Sequence, residues 1–196
     1  MNVQHINIKF FIENPEEVKL EEYSGVFNSW IQRHVTPERL IDVADYTHVH
    51  NGPGVILIGH EADYSLDARA GRLGLLYNRK APLAGSTLEK LTQAARAALT
   101  AVRRLEKENG LKFSGGEIQV AINDRLLVPN TPESFTALQP DLKTFFNTLY
   151  GGADHILTYQ SSNPRERFTV VAKAATEFDI ETLFRVLVQN EILSIG

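Results

Sequence analysis

The chain of 196 residues contains no cysteine. That excludes disulfides, a thiol nucleophile, thiolate zinc sites and cysteine-ligated iron–sulfur clusters, and it fits a reducing compartment. Long hydrophobic runs are missing too: no stretch approaches the roughly 18 apolar residues of a membrane span. The opening segment MNVQHINIKFFIENPEE lacks a basic start, a long apolar core and a small-residue cleavage site, so it does not read as a signal peptide. A soluble, cytoplasmic protein with no membrane partner is expected. Positive charge is in deficit, with 20 Lys and Arg against 24 Asp and Glu. Nucleic acid is therefore not expected as a partner, because binding phosphates needs a surplus of basic residues on one face.

Familiar chemical signatures are absent as well. The chain has no G-x-x-x-x-G-K-[ST] phosphate loop, no G-x-S-x-G elbow and no H-E-x-x-H. Gly52, Gly54 and Gly59 do not form a dinucleotide fingerprint, because a strand rather than a helix follows them. No cofactor is expected.

What is present is enough apolar residue, 43%, to build a substantial core. Residues 3–12 alternate and then run apolar, which reads as a strand. Leu20, Tyr23, Phe27 and Trp30 fall at steps of three and four and predict a helix over 20–33. Residues 39–49 and 54–62 read as a hairpin turning at Asn51–Gly54, and 72–80 as a further strand. The clearest element is a helix over 86–109. Ser86 and Glu89 form a capping box, Gly110 is the C′ residue, and Leu88, Leu91, Ala95, Ala98, Val102 and Leu105 make one stripe. That stripe fits packing on a sheet better than a seam between subunits, since three heptads are short for a coiled coil. Beyond it come a strand at 116–128, a helical turn and a short helix from Pro140, two strands around SSNPRE, and a helix over 179–190 capped by Asp179.

The order then repeats. HINIKF (5–10) matches EIQVAI (117–122) in pattern, FNSW (27–30) matches FNTL (146–149), and 45–62 matches 158–175 without a gap. The expected fold is α+β, from two divergent β-α-β-β-α halves with ferredoxin-like element order. The sheets are expected to be largely antiparallel with helices on one face. The halves span 1–110, with an insertion at 63–85, and 111–196, fused into one globular unit.

Three histidines and a glutamate in HVHNGPGVILIGHE (48–61) raise the question of a metal site. With a turn at Asn51–Gly54, His50 faces Val55 and His48 faces Leu57, while His60 faces Asp45 on the other side of the sheet. The three cannot then share one ion. His48 and His50 remain a weak metal alternative, to be completed by a ligand from elsewhere. His60 with Asp45 or Glu61 is the candidate acid–base group. Residues 59–80 gather the candidate ligand-binding side chains Asp63, Tyr64, Asp67, Arg69 and Arg72 in a segment read as irregular and unique to one half. The leading functional expectation is a non-catalytic or small-ligand-binding homo-oligomer, a dimer. The alternative is an enzyme on a small anionic substrate, using the His/carboxylate pair and an arginine as anion holder, with metal assistance as one version.

Overall fold

In the computed structural model, which describes residues 3–194, the chain is a mixed α+β protein. Its strands are β1 (Ile6–Ile12), β2 (Leu40–Tyr46), β3 (Gly54–Gly59), β4 (Ala62–Asp67), β5 (Gly74–Arg79), β6 (Phe113–Ile122), β7 (His155–Tyr159) and β8 (Phe168–Ala174). Its α-helices are α1 (Tyr23–Arg33), α2 (Thr87–Asn109), α3 (Pro132–Leu149) and α4 (Ile180–Ser194). The strands form one sheet in the order β2-β3-β4-β5-β1-β6-β8-β7. Every neighbouring pair is antiparallel.

Alternation along the strands separates two faces. Ile6, Ile8 and Phe10 of β1 share one core with Leu57, Tyr64, Leu66, Leu75, Tyr77, Ile118, Val120 and Val170, and with buried residues of all four helices. The helices therefore cover one face only. Helix α1 lies on β2 and β3, α2 on β1 and β5, α3 on β7 and α4 on β6. The opposite face carries Asn7, Lys9 and Phe11 of β1 beside Ser65, Asp67, Leu76, Ala121 and Val171. These are buried as well, although no helix covers them.

Helix α2 matches its sequence signals at both ends. Ser86 Oγ accepts from the Glu89 amide, the Glu89 carboxylate accepts from the Ser86 amide, and Gly110 adopts a left-handed φ of 70°. Its stripe packs on the sheet and against α3 and α4, which is the sheet-packing alternative. Helix α1 starts later than expected, because 20–22 form a separate 3₁₀ turn. Helix α3 runs unbroken through Pro140. The proline ring sits on the exposed side, while Leu138, Leu142, Phe145 and Phe146 bury a continuous stripe across it. That burial outweighs the missing hydrogen bond.

Two sequence expectations need correction. The hairpin of β2 and β3 does not turn at Asn51–Gly54. Asp45 Oδ1 accepts from Thr47 N and Oγ1 at 2.8 and 2.7 Å, which ends β2 at Tyr46. Two further turns, Val49 N to Tyr46 O and Gly52 N to Val49 O, fill residues 47–53. The register moves accordingly, placing Asp45 opposite Val55 and Val43 opposite Leu57. The second correction concerns 59–80, which is not an irregular insertion. It holds the hairpin β4–β5, and β5 lies against β1 at the middle of the sheet. Strand β8 lies beside β6 as β5 lies beside β1.

Gly54 shows how closely these strands approach. Its φ is +63°, and a Cβ there would collide with the Leu66 carbonyl. Urea unfolding followed by circular dichroism is expected to show Ser86→Ala losing about 1 kcal/mol. Gly54→Ala is expected to lose more, because strain of about 1–3 kcal/mol adds to the collision.

Candidate functional site

Between α1 and α2 the helices do not touch closely, and a cavity of about 540 Å³ opens there. Its lining includes Trp30 of α1, residues 35–38 of the following loop, Tyr64 of the sheet, and one side of α2 from Leu88 to Arg104. Phe145, Thr148 and Leu187 reach it from α3 and α4. Small side chains at Ala97 and Ala101 leave the room along α2. At one end Glu108 accepts from both Arg33 (2.8 Å) and Arg104 (2.7 Å), tying α1 to α2.

The floor is polar. Helix α1 stops at His34, whose φ is +49°, and Thr36 Oγ1 donates to the Glu38 carbonyl at 3.1 Å. This turn carries the Glu38 side chain in under the helix layer, where it is 7% exposed. Its two oxygens accept from the Tyr64 hydroxyl (2.9 Å) and the Tyr77 hydroxyl (3.3 Å). Gln93 Nε2 donates to the Tyr77 oxygen at 3.1 Å. The two phenol rings meet edge to face, 5.2 Å apart. Burial, reinforced by the Glu38 charge, drives the Tyr64 hydroxyl far above its ordinary pKa. Burial also raises that of Tyr77. Trp30 Nε1 and Gln93 Oε1, both on lining residues, are buried without a hydrogen-bond partner. An unmet donor and an unmet acceptor each cost free energy until something pairs with them.

Compared with known proteins, the chain matches no family model, no curated protein and no solved structure. The reading of the site rests on its own geometry.

The residues singled out in the sequence are scattered. Tyr64 is the one that reaches the cavity floor. His48 and His50 are exposed in the 47–53 loop. Among the described residues no cluster of three or more His, Asp or Glu has metal-binding geometry. His60 and Glu61 form the β3–β4 turn, with His60 Nδ1 3.5 Å from Glu61 Oε1 and the imidazole 72% exposed. Asp45 does not face His60, whose amide instead bonds the Arg39 carbonyl. Asp45 receives bonds from Thr47 and Ser24, and the Thr47 amide foremost holds its carboxyl below the usual range. Glu61 accepts from the Arg39 amide, which lowers its carboxyl likewise. Asp63 pairs with Lys80 at 2.6 Å. Asp67, Arg69 and Arg72 come together, but on the helix-free face, with Lys9.

Glu38, Tyr77, Gln93 and Trp30 did not stand out as functional in the sequence. The available signal was a phenol among apolar residues at alternate strand positions, Tyr64 between Ala62 and Leu66 and Tyr77 after Leu75.

An alkaline absorbance titration checks this floor. Below the ordinary tyrosine value near 10 both states keep their phenolic protons. Above it the unfolded chain ionises first, so stability contributed by Tyr64 and Tyr77 falls as pH rises toward their folded values. Glu38→Gln removes a raising charge, so tyrosinate absorbance is expected at lower pH. Loss of the charged acceptor is expected to cost about 1–3 kcal/mol in unfolding.

Proposed function

We propose that the protein is a non-catalytic binder of a small, largely apolar molecule held in the cavity between α1 and α2. The observation that carries this reading is the Glu38–Tyr64–Tyr77 cluster at the base of a hollow whose exposed surface is mostly apolar. Its volume is in the range of small-molecule sites, which combine apolar walls with a few placed polar groups. The free Trp30 donor and Gln93 acceptor favour a ligand with an adjacent acceptor and donor, such as an amide. Arg96 and Arg104 on α2 make the walls tolerant of negative charge.

The enzyme alternative has no geometric support at His60 and Asp45, which do not face each other. Its anion-holding arginines, Arg69 and Arg72, lie on the opposite face of the sheet.

The test uses 8-anilinonaphthalene-1-sulfonate, an apolar anion of suitable size. Ala97 lines the cavity and is half-buried, so Ala97→Trp fills it from α2. Enhanced probe fluorescence with the parent chain, lost in a folded Ala97→Trp variant, is expected. Equal fluorescence from both removes the cavity as the binding place.

The reading includes a homodimer. Support comes from the sheet's two edge strands, β2 and β7, where Ile41 and Ile156 are 55% and 70% exposed. Uncovered edges of this kind favour pairing with another chain. Multi-angle light scattering is expected to give twice the 21.9 kDa chain mass; a single-chain mass across the concentration range contradicts it.

We also read the chain as two divergent halves sharing a ferredoxin-like arrangement. Support comes from β1 and β6 lying side by side, each flanked outward by the strand that precedes a helix, β5 before α2 and β8 before α4. In this reading the extra piece of the first half is β2–β3, residues 40–59, rather than 63–85.

A further inference from the structure

The face of the sheet without helices contains an electrostatic imbalance. At its centre Lys9 Nζ lies 2.7 Å from Asp67 Oδ2, with both side chains 3% exposed. Arg69 Nε stands 3.4 Å from the other Asp67 oxygen, and its side chain is 45% exposed at the rim. Arg72 stacks over the Phe11 ring at 3.6 Å and bonds Glu117 at 2.7 Å. A fourth cation comes from the far side. Arg167 precedes β8, and alternation from Thr169 and Val171 puts it on this face. The charges that act on its guanidinium are those of Arg69 and Asp67. Three strands lie between β4 and β8, so this interaction acts across the face.

The loop that precedes β8 is tied down at two points. Arg125 donates to the Arg165 carbonyl (3.0 Å) and Asn130 to the Asn163 carbonyl (2.8 Å), fixing the 160–167 loop. Pro164 of that loop lines a cleft of about 760 Å³ with Asn78, Lys80 and His5. Burial foremost, and Arg69 next, push the Arg167 guanidinium below its ordinary pKa. It makes no hydrogen bond or ion pair with a described residue. A half-buried cation in that state is costly unless something compensates it.

A second, independent observation lies beneath. Asn7 is 1% exposed, two residues before Lys9 on the same face, and both its side-chain oxygen and nitrogen lack a partner. Across the ladder at Asn78, the side-chain oxygen is also unpaired. Buried amides are rarely left this way in a site that stays empty.

We propose that the helix-free face binds a phosphate monoester, whose phosphoryl group is received by Arg167 and Arg69 above the Lys9–Asp67 pair, with Asn7 at the base. Charge complementarity selects the class. Around the buried pair, Lys9, Arg69, Arg72 and Arg167 outnumber Asp67 and Glu117 by two, Lys173 opposite Glu117 adds an exposed cation, and a dianion offsets this excess. The neighbouring Asp63–Lys80 pair cancels itself. Guanidinium forks suit tetrahedral oxyanions, binding two oxygens at once. This site is on the opposite side of the sheet from the α1–α2 cavity and stands or falls independently of it.

Isothermal titration calorimetry tests the proposal on the full chain, with inorganic phosphate, methyl phosphate and succinate as probes at ionic strength matched by sodium chloride. Inorganic phosphate and methyl phosphate are expected to bind, and succinate to bind at least about tenfold more weakly. Arg167→Ala is expected to weaken phosphate about tenfold to a hundredfold, the loss of one or two charge-assisted bonds. Because Arg167 has no partner to lose, its melting temperature is expected to stay level or rise. Arg69→Ala, a half-exposed position, gives a second variant with the same direction of effect. No heat with phosphate, equal affinity for succinate, or unchanged phosphate binding in both folded variants overturns the proposal.

Discussion

Strand β1 lies in the interior of an eight-stranded sheet that has helices on only one side, yet every residue from Ile6 to Ile12 is buried. On the helix side this needs only apolar side chains, and Ile6, Ile8 and Phe10 supply them. On the other side no helix arrives, and the same strand presents Asn7, Lys9 and Phe11. Burying Lys9 requires a carboxylate of comparable burial in contact, which Asp67 provides from β4. Removing one partner strands a charge, at a typical cost of about 3–5 kcal/mol, whereas replacing both with apolar residues is often neutral or stabilising. A plain structural demand therefore does not account for an ion pair here. The arginines gathered above it make better sense as part of a surface that receives something.

The β4–β5 hairpin serves both sides at once. Its inward positions give Tyr64 to the cavity floor and Tyr77 to the Glu38 carboxylate, and its outward positions give Asp63, Asp67 and Asn78 to the opposite face. Alternation makes this possible, since neighbouring residues on one strand differ in everything but position. A one-residue shift of register in this hairpin would exchange the two sets and bury carboxylates against Glu38. The close approach at Gly54 and at Gly74, where a Cβ would strike the Leu66 and Phe10 carbonyls, belongs to the same constraint.

Helix α2 was legible from its sequence because every signal for it is local: a capping box spanning four residues, a stripe with period 3.6, and a terminal glycine. The sheet was less legible. Asp45 ends β2 through its own carboxylate, a contact over two residues, and that moved the turn away from the more conspicuous Asn-Gly-Pro-Gly. The His60–Asp45 pairing disappeared with it. Pro140 suggested a break that tertiary burial of Leu138, Leu142 and Phe145 overrode. The candidate site was least legible of all. Glu38 meets Tyr64 and Tyr77 across 26 and 39 residues, and no periodicity in VTPERL announces a buried carboxylate. Asp67, Arg69 and Arg72 were found together in the sequence, while Lys9 and Arg167, which complete their surroundings, lie in other elements.

Trp30 is the only tryptophan in the chain, it lines the α1–α2 cavity, and its Nε1 has no acceptor. The indole N–H resonance is therefore a single, assigned reporter of whether that cavity holds a ligand. In a proton–nitrogen correlation spectrum recorded during titration with 8-anilinonaphthalene-1-sulfonate, the resonance is expected to shift progressively to saturation as the indole gains a neighbour. An indole resonance that stays fixed while the probe saturates elsewhere contradicts the cavity as the place where this protein binds its ligand.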